Sequence, residues 1–263
     1  MTPNSITTAS MPAAKAPSMP GVDMSGTDML DAPMKNENLP FTIRVVSSTN
    51  ELKKAVSIRH AAYMRHVPNF AQQLTEPESA DSESGAVVLL AESKLDGSPI
   101  GTMRIQINEY GPLALEQSVK LPDWLASSRL AEATRLGVTQ ERVGRIVTSA
   151  LFKAFYLYCR HNRIDHMVIT ARSPVDRHYD RLMFKDIYPE VGYIPFKHVG
   201  NMPHRAMALE VGMVEELWKA GNHPLFNFFF KTFHEDINVT DTSLYRPRTL
   251  PKLLDSKQQV VSA

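Results

Sequence analysis

The sequence predicts a mixed α/β fold of the α+β type, and the order of its apolar patterns is the main reason. Along the chain these patterns give strand, helix, two strands, a third strand, a long helix, strand, helix and strand. Two of the strands, AVVLLAES and SPIGTMRIQIN, are joined by a turn around LDGS and form a hairpin in the middle of the order. The hairpin excludes the strict strand–helix alternation of a dinucleotide-binding fold.

Composition narrows the class of protein. The chain has 263 residues, of which 43% are hydrophobic and 22% charged, and its formal charge of +1 gives no reason to expect a nucleic-acid partner. A single cysteine, Cys159, excludes an internal disulfide. There is no apolar run of roughly 18 residues and no secretory signal, so we expect a cytoplasmic protein without a membrane span. Peripheral contact with a membrane stays open.

The chain divides into three predicted parts. Residues 1–38 are rich in Pro, Ser, Thr, Ala and Met without a sustained period, which predicts a disordered leader. We expect residues 39–240 to form one folded domain and residues 241–263 to form a tail.

The first half of the domain contains one strand, one helix and the hairpin. FTIRVVS is a β-branched strand, and Ser48 and Glu51 are spaced as a capping box for the helix that follows. Helical spacing puts Arg59 and Tyr63 on one face of this helix, and residues 66–85 then form an acidic loop. Alternation in the second hairpin strand separates Thr102, Arg104 and Gln106 from the apolar residues between them.

The second half begins with LAEATRLGV, whose local propensity favours a helix but whose place between a hairpin and a long helix favours a strand. ERVGRIVTSALFKAFYLYCRHN is an amphipathic helix. HMVITAR and HRAMALEVG are strands on either side of the short helix VDRHYDRLMF, and EELWKAG and HPLFNFFFKTF are helical. Four phenylalanines of the last segment fall on one predicted helix side, where core packing is favoured over an acyl pocket: Phe226, Phe229, Phe230 and Phe233.

No phosphate loop, dinucleotide glycine triad or HExxH pattern is present, and we expect no metal site. The chemical signal lies in a balanced set of charges near the predicted strands and helices, namely Arg59, Glu78, Asp81, Arg104, Glu132 and Arg135. Such a set can neutralise itself while it lines a cleft. The alternative is that these residues are unrelated surface charges.

These residues carry a resemblance to GNAT-type acyltransferases, which covers Phe41 to about Gly212. More narrowly, the block resembles the acyl-homoserine-lactone synthases and the long-chain N-acyl amino acid synthases of the FeeM type. The lactone synthases have an early helix with Arg and an aromatic residue, two acids three apart, a GTxR strand and an E-x-x-R strand. This chain has the same features in the same order: Arg59 with Tyr63, Glu78 with Asp81, GTMR ending at Arg104, and Glu132 with Arg135. Glu83 stays an alternative to either acid of the loop.

The resemblance implies a GNAT-like fold, with a central twisted mixed sheet and helices on both faces. It implies that LAEATRLGV is the central fourth strand, which commonly carries a bulge in this fold. A regular strand would send Glu132 and Arg135 to opposite faces, whereas a bulge shifts the alternation and lets both face one cleft. We therefore expect a bulge between these two residues.

The resemblance also implies a reaction, in which an amine attacks an acyl thioester directly while both are bound. Glu132 is then the candidate base for the amine, and Tyr179 of HYDRLMF is the candidate acid for the departing thiolate. A backbone N–H of the central strand would stabilise the oxyanion. Arg104 and Arg135 would hold the substrate's carboxylate or fix Glu132, and Arg59 and Asp81 would order the early helix and loop. Tyr63 and Glu78 complete the expected substrate-binding set.

The expected acyl donor is acyl carrier protein, with coenzyme A left open and no permanently bound cofactor. In ordinary GNAT enzymes a loop Q/R-x-x-G-x-G/A binds coenzyme A, but TQERVGRIV keeps only Gly144 of this pattern. The carrier is acidic, so a basic face on the long helix would suit it. That face is expected to consist of Arg142, Arg145, Lys153, Arg160 and Arg163, for which ordinary solvated charges are the alternative reading.

The first functional expectation is thus transfer of a fatty acyl group to an amino acid or related amine. A homoserine-lactone synthase that uses S-adenosylmethionine is the second, and it is less favoured because the segment after Arg65 lacks the tryptophan expected near that cofactor. A non-catalytic GNAT-like module that binds lipid or a partner protein is the third. The sequence leaves open the amine, the acyl length and the oligomeric state.

Overall fold

A computed structural model describes residues 34–140 and 142–240. Its strands are β1 Lys35–Asn36, β2 Phe41–Val45, β3 Ala86–Ser93, β4 Pro99–Ile107, β5 Leu130–Val138, β6 His166–Ala171, β7 Lys185–Asp186, β8 Ile194–Phe196, β9 Met202–Glu210, β10 Thr232–Phe233 and β11 Ile237–Asn238. Most of them form one mixed sheet with the order β11-β2-β3-β4-β5-β6-β9-β7, and β8 also pairs with β9. The pairs β11–β2 and β5–β6 are parallel and the others in this sheet are antiparallel.

Helices cover both faces of this sheet, as the fold class predicts. The α-helices are α1 Thr49–Met64, α2 Pro68–Ala71, α3 Asp123–Ala126, α4 Arg142–His161, α5 Asp176–Arg181 and α6 Val214–Ala220. Two glycines show the two faces, because a Cβ at Gly101 would lie 2.5 Å from Val147 of α4 and one at Gly137 would lie 3.1 Å from Ala62 of α1. Gly137 pairs with Thr102, the neighbour of Gly101, so α1 and α4 lie on opposite sides.

The start of α1 shows how the sequence fixes a helix end. Ser48 is the N-cap, and its Oγ accepts the backbone N–H of Glu51 at 3.3 Å, as predicted. The Glu51 carboxylate accepts the backbone N–H of Ser47 at 2.7 Å rather than that of Ser48. The cap therefore joins β2 to the helix, and the helix position of Arg59 is fixed from its first turn.

The segment LAEATRLGV is strand β5, and it carries the predicted bulge. Arg104 pairs with Thr134 whereas Thr102 pairs with Gly137, so two residues of β5, Arg135 and Leu136, lie opposite Met103 of β4. Arg135 takes a left-handed backbone conformation with φ of 56°. The parallel pairing with β6 covers only Leu130 to Ala133, and beyond it the two strands lie on either side of a cavity.

The C-terminal segment corrects one predicted element. The sequence predicts a single helix over HPLFNFFFKTF, whereas the structure has a π-helical turn, Asn227–Lys231, followed by β10. The ammonium of Lys153 binds the carbonyls of Phe228 and Thr232 at 2.7 and 2.5 Å, which diverts them from a continued helix. Phe229 lies in the core, as favoured, but Phe233 is 50% exposed and does not share its side.

Short strands at both ends of the described chain complete the fold. β10 pairs with β1, which lies within the segment predicted to be the leader, and β11 extends the main sheet beside β2. Residues 1–33 and 241–263, on which the rest of the predicted leader and the predicted tail fall, lie outside the described residues. Among the described residues, no helix is long and apolar enough to cross a membrane.

Candidate active site

A buried network of charges joins α1, the loop before β3, and strands β4 and β5. Arg59 and Asp81 form a two-bonded ion pair with distances of 2.9 and 2.8 Å, and both side chains are fully buried. Arg104 lies 3.2 Å from both Asp81 and Glu78, and Arg135 donates two bonds of 2.6 Å to Glu78. The predicted charges are thus brought together, and the reading as unrelated surface charges is wrong for these five.

The two acids of the network are held by their own backbone. Asp81 ends the 3-10 turn Ser79–Asp81, and its Oδ2 accepts the backbone N–H of Glu78 at 2.9 Å. Burial opposes ionisation of Asp81, but the hydrogen bond and charge of Arg59 outweigh it, so the pKa of Asp81 is lowered. The pKa of Glu78 is also lowered, because burial is outweighed there by Arg135. Both acids stay ionised at neutral pH.

The bulge places Glu132 and Arg135 on the same side of β5, as predicted. Both side chains reach His198, which lies in the 3-10 turn Lys197–Val199. Arg135 Nη2 donates to the His198 carbonyl at 3.0 Å, and Glu132 Oε1 lies 4.0 Å from His198 Nε2. Arg135 does not bond Glu132 directly, so the expectation that it fixes Glu132 by a charge-assisted bond is not met in this geometry.

Glu132 is the acid of the site whose pKa is raised towards neutrality. Its side chain is fully buried, and burial raises its pKa to about 7 although the backbone N–H of Leu115 opposes the shift. Leu115 N–H donates to Oε2 at 3.1 Å, whereas Oε1 has no hydrogen-bond partner among the described residues. A carboxylate with a pKa near neutrality can accept a proton and release it again.

A cavity of about 310 Å³ lies between the separated ends of β5 and β6. Three of the predicted site residues line it, namely Tyr63, Arg135 and Tyr179, while Glu132 lies one layer behind its wall. The Tyr179 ring packs edge-on against Phe152 and Phe184 with centroids 5.4 and 5.7 Å apart. Burial raises the pKa of the Tyr179 phenol, which therefore keeps its proton at neutral pH.

Three further residues of this cavity were not found from the sequence: Thr170, Arg172 and His198. Thr170 lies near the end of β6 and Arg172 directly follows this strand, so their places at the cavity depend on where β5 and β6 separate. His198 lies in an irregular turn, where no periodic pattern marks the inward side chain. Among the described residues, no group of three or more His, Cys, Asp or Glu residues is placed to hold a metal ion.

The predicted docking face on α4 requires a correction. Lys153 is 2% exposed, and its ammonium binds the Phe228 and Thr232 carbonyls and lies 2.9 Å from His234 Nδ1. It is a buried structural group, and burial lowers its pKa to about 8. Arg145, Arg160 and Arg163 are exposed, but Arg145 is in the first turn of α4, about 22 Å along the helix from Arg160. The Arg142 side chain lies outside the described residues.

The mixed sheet with helices on both faces, and the two strands that separate at the cavity, agree with the expected GNAT-like fold. The sequence profile of the N-acyl amino acid synthase FeeM family matches residues 52–210, and the chain belongs to that family. It is therefore an acyltransferase, which excludes the reading as a non-catalytic module. A comparison with curated proteins found no match.

Solved structures of three proteins are similar to this chain. FeeM, an N-acyl amino acid synthase from uncultured soil microbes, is 21% identical with a TM-score of 0.55, over 69% of this chain and 96% of FeeM. The CoA-dependent acyl-homoserine lactone synthase BjaI is 16% identical with a TM-score of 0.49, over 74% of this chain and 93% of BjaI. The acyl-homoserine lactone synthase LasI is also 16% identical with a TM-score of 0.49, over 65% and 90% of the two chains.

Proposed function

We propose that this acyltransferase moves a long-chain fatty acyl group from acyl carrier protein to the amino group of an amino acid, in the cytoplasm. The amine attacks the thioester carbonyl directly while both substrates are bound. One observation carries the proposal: a buried carboxylate, Glu132, has its pKa raised to about 7 beside a cavity between separated strands. The family match at residues 52–210 supports the amide-forming class.

Glu132 is the base in this proposal. A free α-amino group has a pKa of about 8 and is mostly protonated at pH 7, so it needs an acceptor before it can attack. Glu132 Oε1 is buried and has no hydrogen-bond partner among the described residues, so its lone pairs are free to accept that proton. The neighbouring acids Glu78 and Asp81 are bound by arginines and are poor acceptors.

The cavity offers places for the thioester and its leaving group. Beyond Ala133, β5 pairs with β4 on one side and faces the cavity on the other, so its backbone supplies the candidate oxyanion donor. Tyr179 lines the same cavity and keeps its proton, so we assign it the proton donor role toward the departing thiolate. Tyr63, which also lines the cavity, is retained as a substrate contact.

Arg172 is the better candidate for the substrate's carboxylate than Arg104 or Arg135. The latter two bind Glu78, so a substrate carboxylate would have to compete with it. Arg172 lines the cavity, and among the described residues its guanidinium donates one long hydrogen bond, of 3.4 Å, to the Ser173 carbonyl. A guanidinium with spare donors suits a carboxylate in two-bonded geometry. We assign Arg59, Arg104, Arg135 and their two acids to holding β5 and the loop in place.

The carrier would approach the cavity from the start of α4. Thr148 of α4 lines the cavity, and Arg145 precedes it by three residues on the same helix face. Arg65 also lines the cavity, so its rim is basic on two sides. We infer that the acidic carrier docks there and that Arg160 and Arg163, at the far end of α4, do not take part. Coenzyme A is the alternative donor.

Mass spectrometry of reactions with the purified protein tests the function. Each reaction contains an acyl donor, either acyl carrier protein or coenzyme A charged with a long chain, and a mixture of amino acids. We expect acylated amino acids, with Glu132→Gln losing at least about 100-fold in turnover. Acyl lactones formed from S-adenosylmethionine would instead establish the lactone synthase. No acylated product with either donor would refute both.

A further inference from the structure

His198 separates the cavity from the proposed base. Its side chain is 5% exposed and lines the cavity, whereas Glu132 is fully buried and does not line it. The turn that carries His198 is fixed, because the His198 carbonyl accepts a 3.0 Å bond from Arg135. A substrate amine in the cavity therefore meets the wall formed by His198 before it could reach Glu132.

Polar atoms lead from the cavity to Glu132 through this wall. Thr170 Oγ1, on the cavity side, lies 3.0 Å from His198 Nε2, and the same nitrogen lies 4.0 Å from Glu132 Oε1. Within the described residues, Glu132 Oε1 has no hydrogen-bond partner, although it is buried. Buried polar atoms without partners are uncommon and mark places where function outweighs stability.

The groups around His198 determine whether its imidazole is neutral or charged. Arg135, Arg104 and His204 face it as positive or potentially positive groups, and Glu132 is the acid beside it. Burial, and then the charge of Arg135, lowers the pKa of His198 to about 3, so the imidazole is neutral. We assign the ring proton to Nδ1, for which the described residues offer no hydrogen-bond partner, so that Nε2 accepts the Thr170 hydroxyl. Because it cannot keep a second proton, it can only pass one on.

We propose that Thr170 and His198 form the proton path from the bound amine to Glu132. The ammonium N–H bond breaks and the nitrogen keeps the electron pair for its attack on the thioester. Thr170 Oγ1 takes this proton while its own passes to the lone pair of His198 Nε2. The ring then turns so that the new Nε2–H points at Glu132 Oε1, which takes that proton and leaves the imidazole neutral again. The last separation must close by about 1 Å during transfer. This inference rests on the proposed acyl transfer, with Glu132 as its base.

The test compares hydroxyl and imidazole variants across pH in the acyl-transfer assay. Thr170→Val and His198→Gln should lower kcat/KM by about 100-fold at pH 7. The deficit should shrink at pH 9, because an amine with a pKa of about 8 is then already free of its proton. Added imidazole should restore at least about tenfold of the activity of His198→Ala, since it can occupy the vacated wall.

Thr42→Val is the matched control. It removes a threonine hydroxyl from β2, and Thr42 does not line the cavity, so we expect kcat/KM within about twofold of the unchanged protein. A Thr170→Val variant with full activity, or with the same fractional loss at every pH, would overturn the path and leave the proposed function standing. If the unchanged protein shows no acyl transfer, the proposed function itself is refuted.

Discussion

Arg135 Nε lies 2.6 Å from Glu78 Oε2, and this contact joins the bulge of β5 to the loop before β3. The bulged residue has a left-handed backbone that non-glycine residues adopt only at an energetic cost. Two hydrogen bonds to one carboxylate hold its side chain, and a third to His198 holds the far wall of the cavity. The charge network thus shapes the cavity and does not need to touch the reacting atoms.

Breaking this network should cost stability. Asp81→Asn leaves the buried Arg59 guanidinium without its main partner, and we expect the free energy of unfolding to fall by about 3–5 kcal/mol in urea titrations. Glu109→Gln is the control, since it removes the acid of a half-exposed pair with Arg129 and should change stability by less than about 1 kcal/mol. Equal losses in the two variants would contradict the assignment of Asp81.

Glu132 should make stability depend on pH in a direction unusual for an acid. Its folded-state pKa of about 7 lies above the ordinary 4.5, so folding favours the protonated form, and this contribution is lost as the pH rises through 7. The difference amounts to about 3 kcal/mol between pH 4.5 and pH 8.

Glu132→Gln should not show this loss. Urea titrations at pH 5.5 and pH 8 would measure the free energy of unfolding of both proteins. The value for the variant minus the value for the unchanged protein should be larger at pH 8. The lowered pKa values of Glu78 and Asp81 act only at lower pH, because both acids are ionised throughout this window. A constant difference at the two pH values would show that Glu132 is not perturbed.

Arg172→Ala should weaken the binding of the amino acid more than it slows the reaction. Loss of a charge-assisted contact predicts a KM for the amino acid that is about 10- to 100-fold higher, with little change in KM for the acyl donor. With the matching amine that lacks a carboxylate, the variant and the unchanged protein should have similar KM values. Arg177→Ala, an exposed change on α5, serves as the control. The assignment fails if both variants raise KM equally.

Arg145→Glu should impair the carrier-bound donor specifically. A reversed charge near the cavity repels an acidic carrier, so KM for acyl carrier protein should rise about tenfold or more while a small acyl thioester is used as before. Arg163→Glu, two residues beyond the other end of α4, should leave the KM of both donors unchanged. Steady-state kinetics with the two donors decides, and an equal effect of the two variants would place the docking surface elsewhere.

The sequence predicts the parts of this site that depend on order and alternation. The strand assignment of LAEATRLGV follows from its place between the hairpin and the long helix, and its bulge is what the resemblance to GNAT enzymes implies. The structure confirms both. Lys153 was misplaced because helical spacing does not tell which distant segment covers a helix face. Here the turn Asn227–Lys231 and β10 cover it, and their carbonyls satisfy the ammonium.

His198 shows the other limit of prediction from sequence. Its chemistry depends on a 4.0 Å separation from a residue 66 positions earlier in the chain, and no local pattern encodes such a separation. The same holds for the separation of β5 from β6, which creates the cavity and depends on packing across the whole sheet. Order and spacing therefore indicate which residues assemble, whereas the wall between them and the substrate emerges only in three dimensions.

The C-terminal cover of Lys153 has a practical consequence for anyone who designs shortened or chimeric versions. The family match ends at residue 210, yet the acceptors of this ammonium and the edge strand β11 lie beyond it. A version cut at that boundary would expose the Lys153 ammonium to water and remove β11 from beside β2. The free edge of β2 would then be open to pairing with another copy of the chain, which promotes aggregation. Swaps of domains or of substrate-binding loops should therefore keep the chain intact through residue 240.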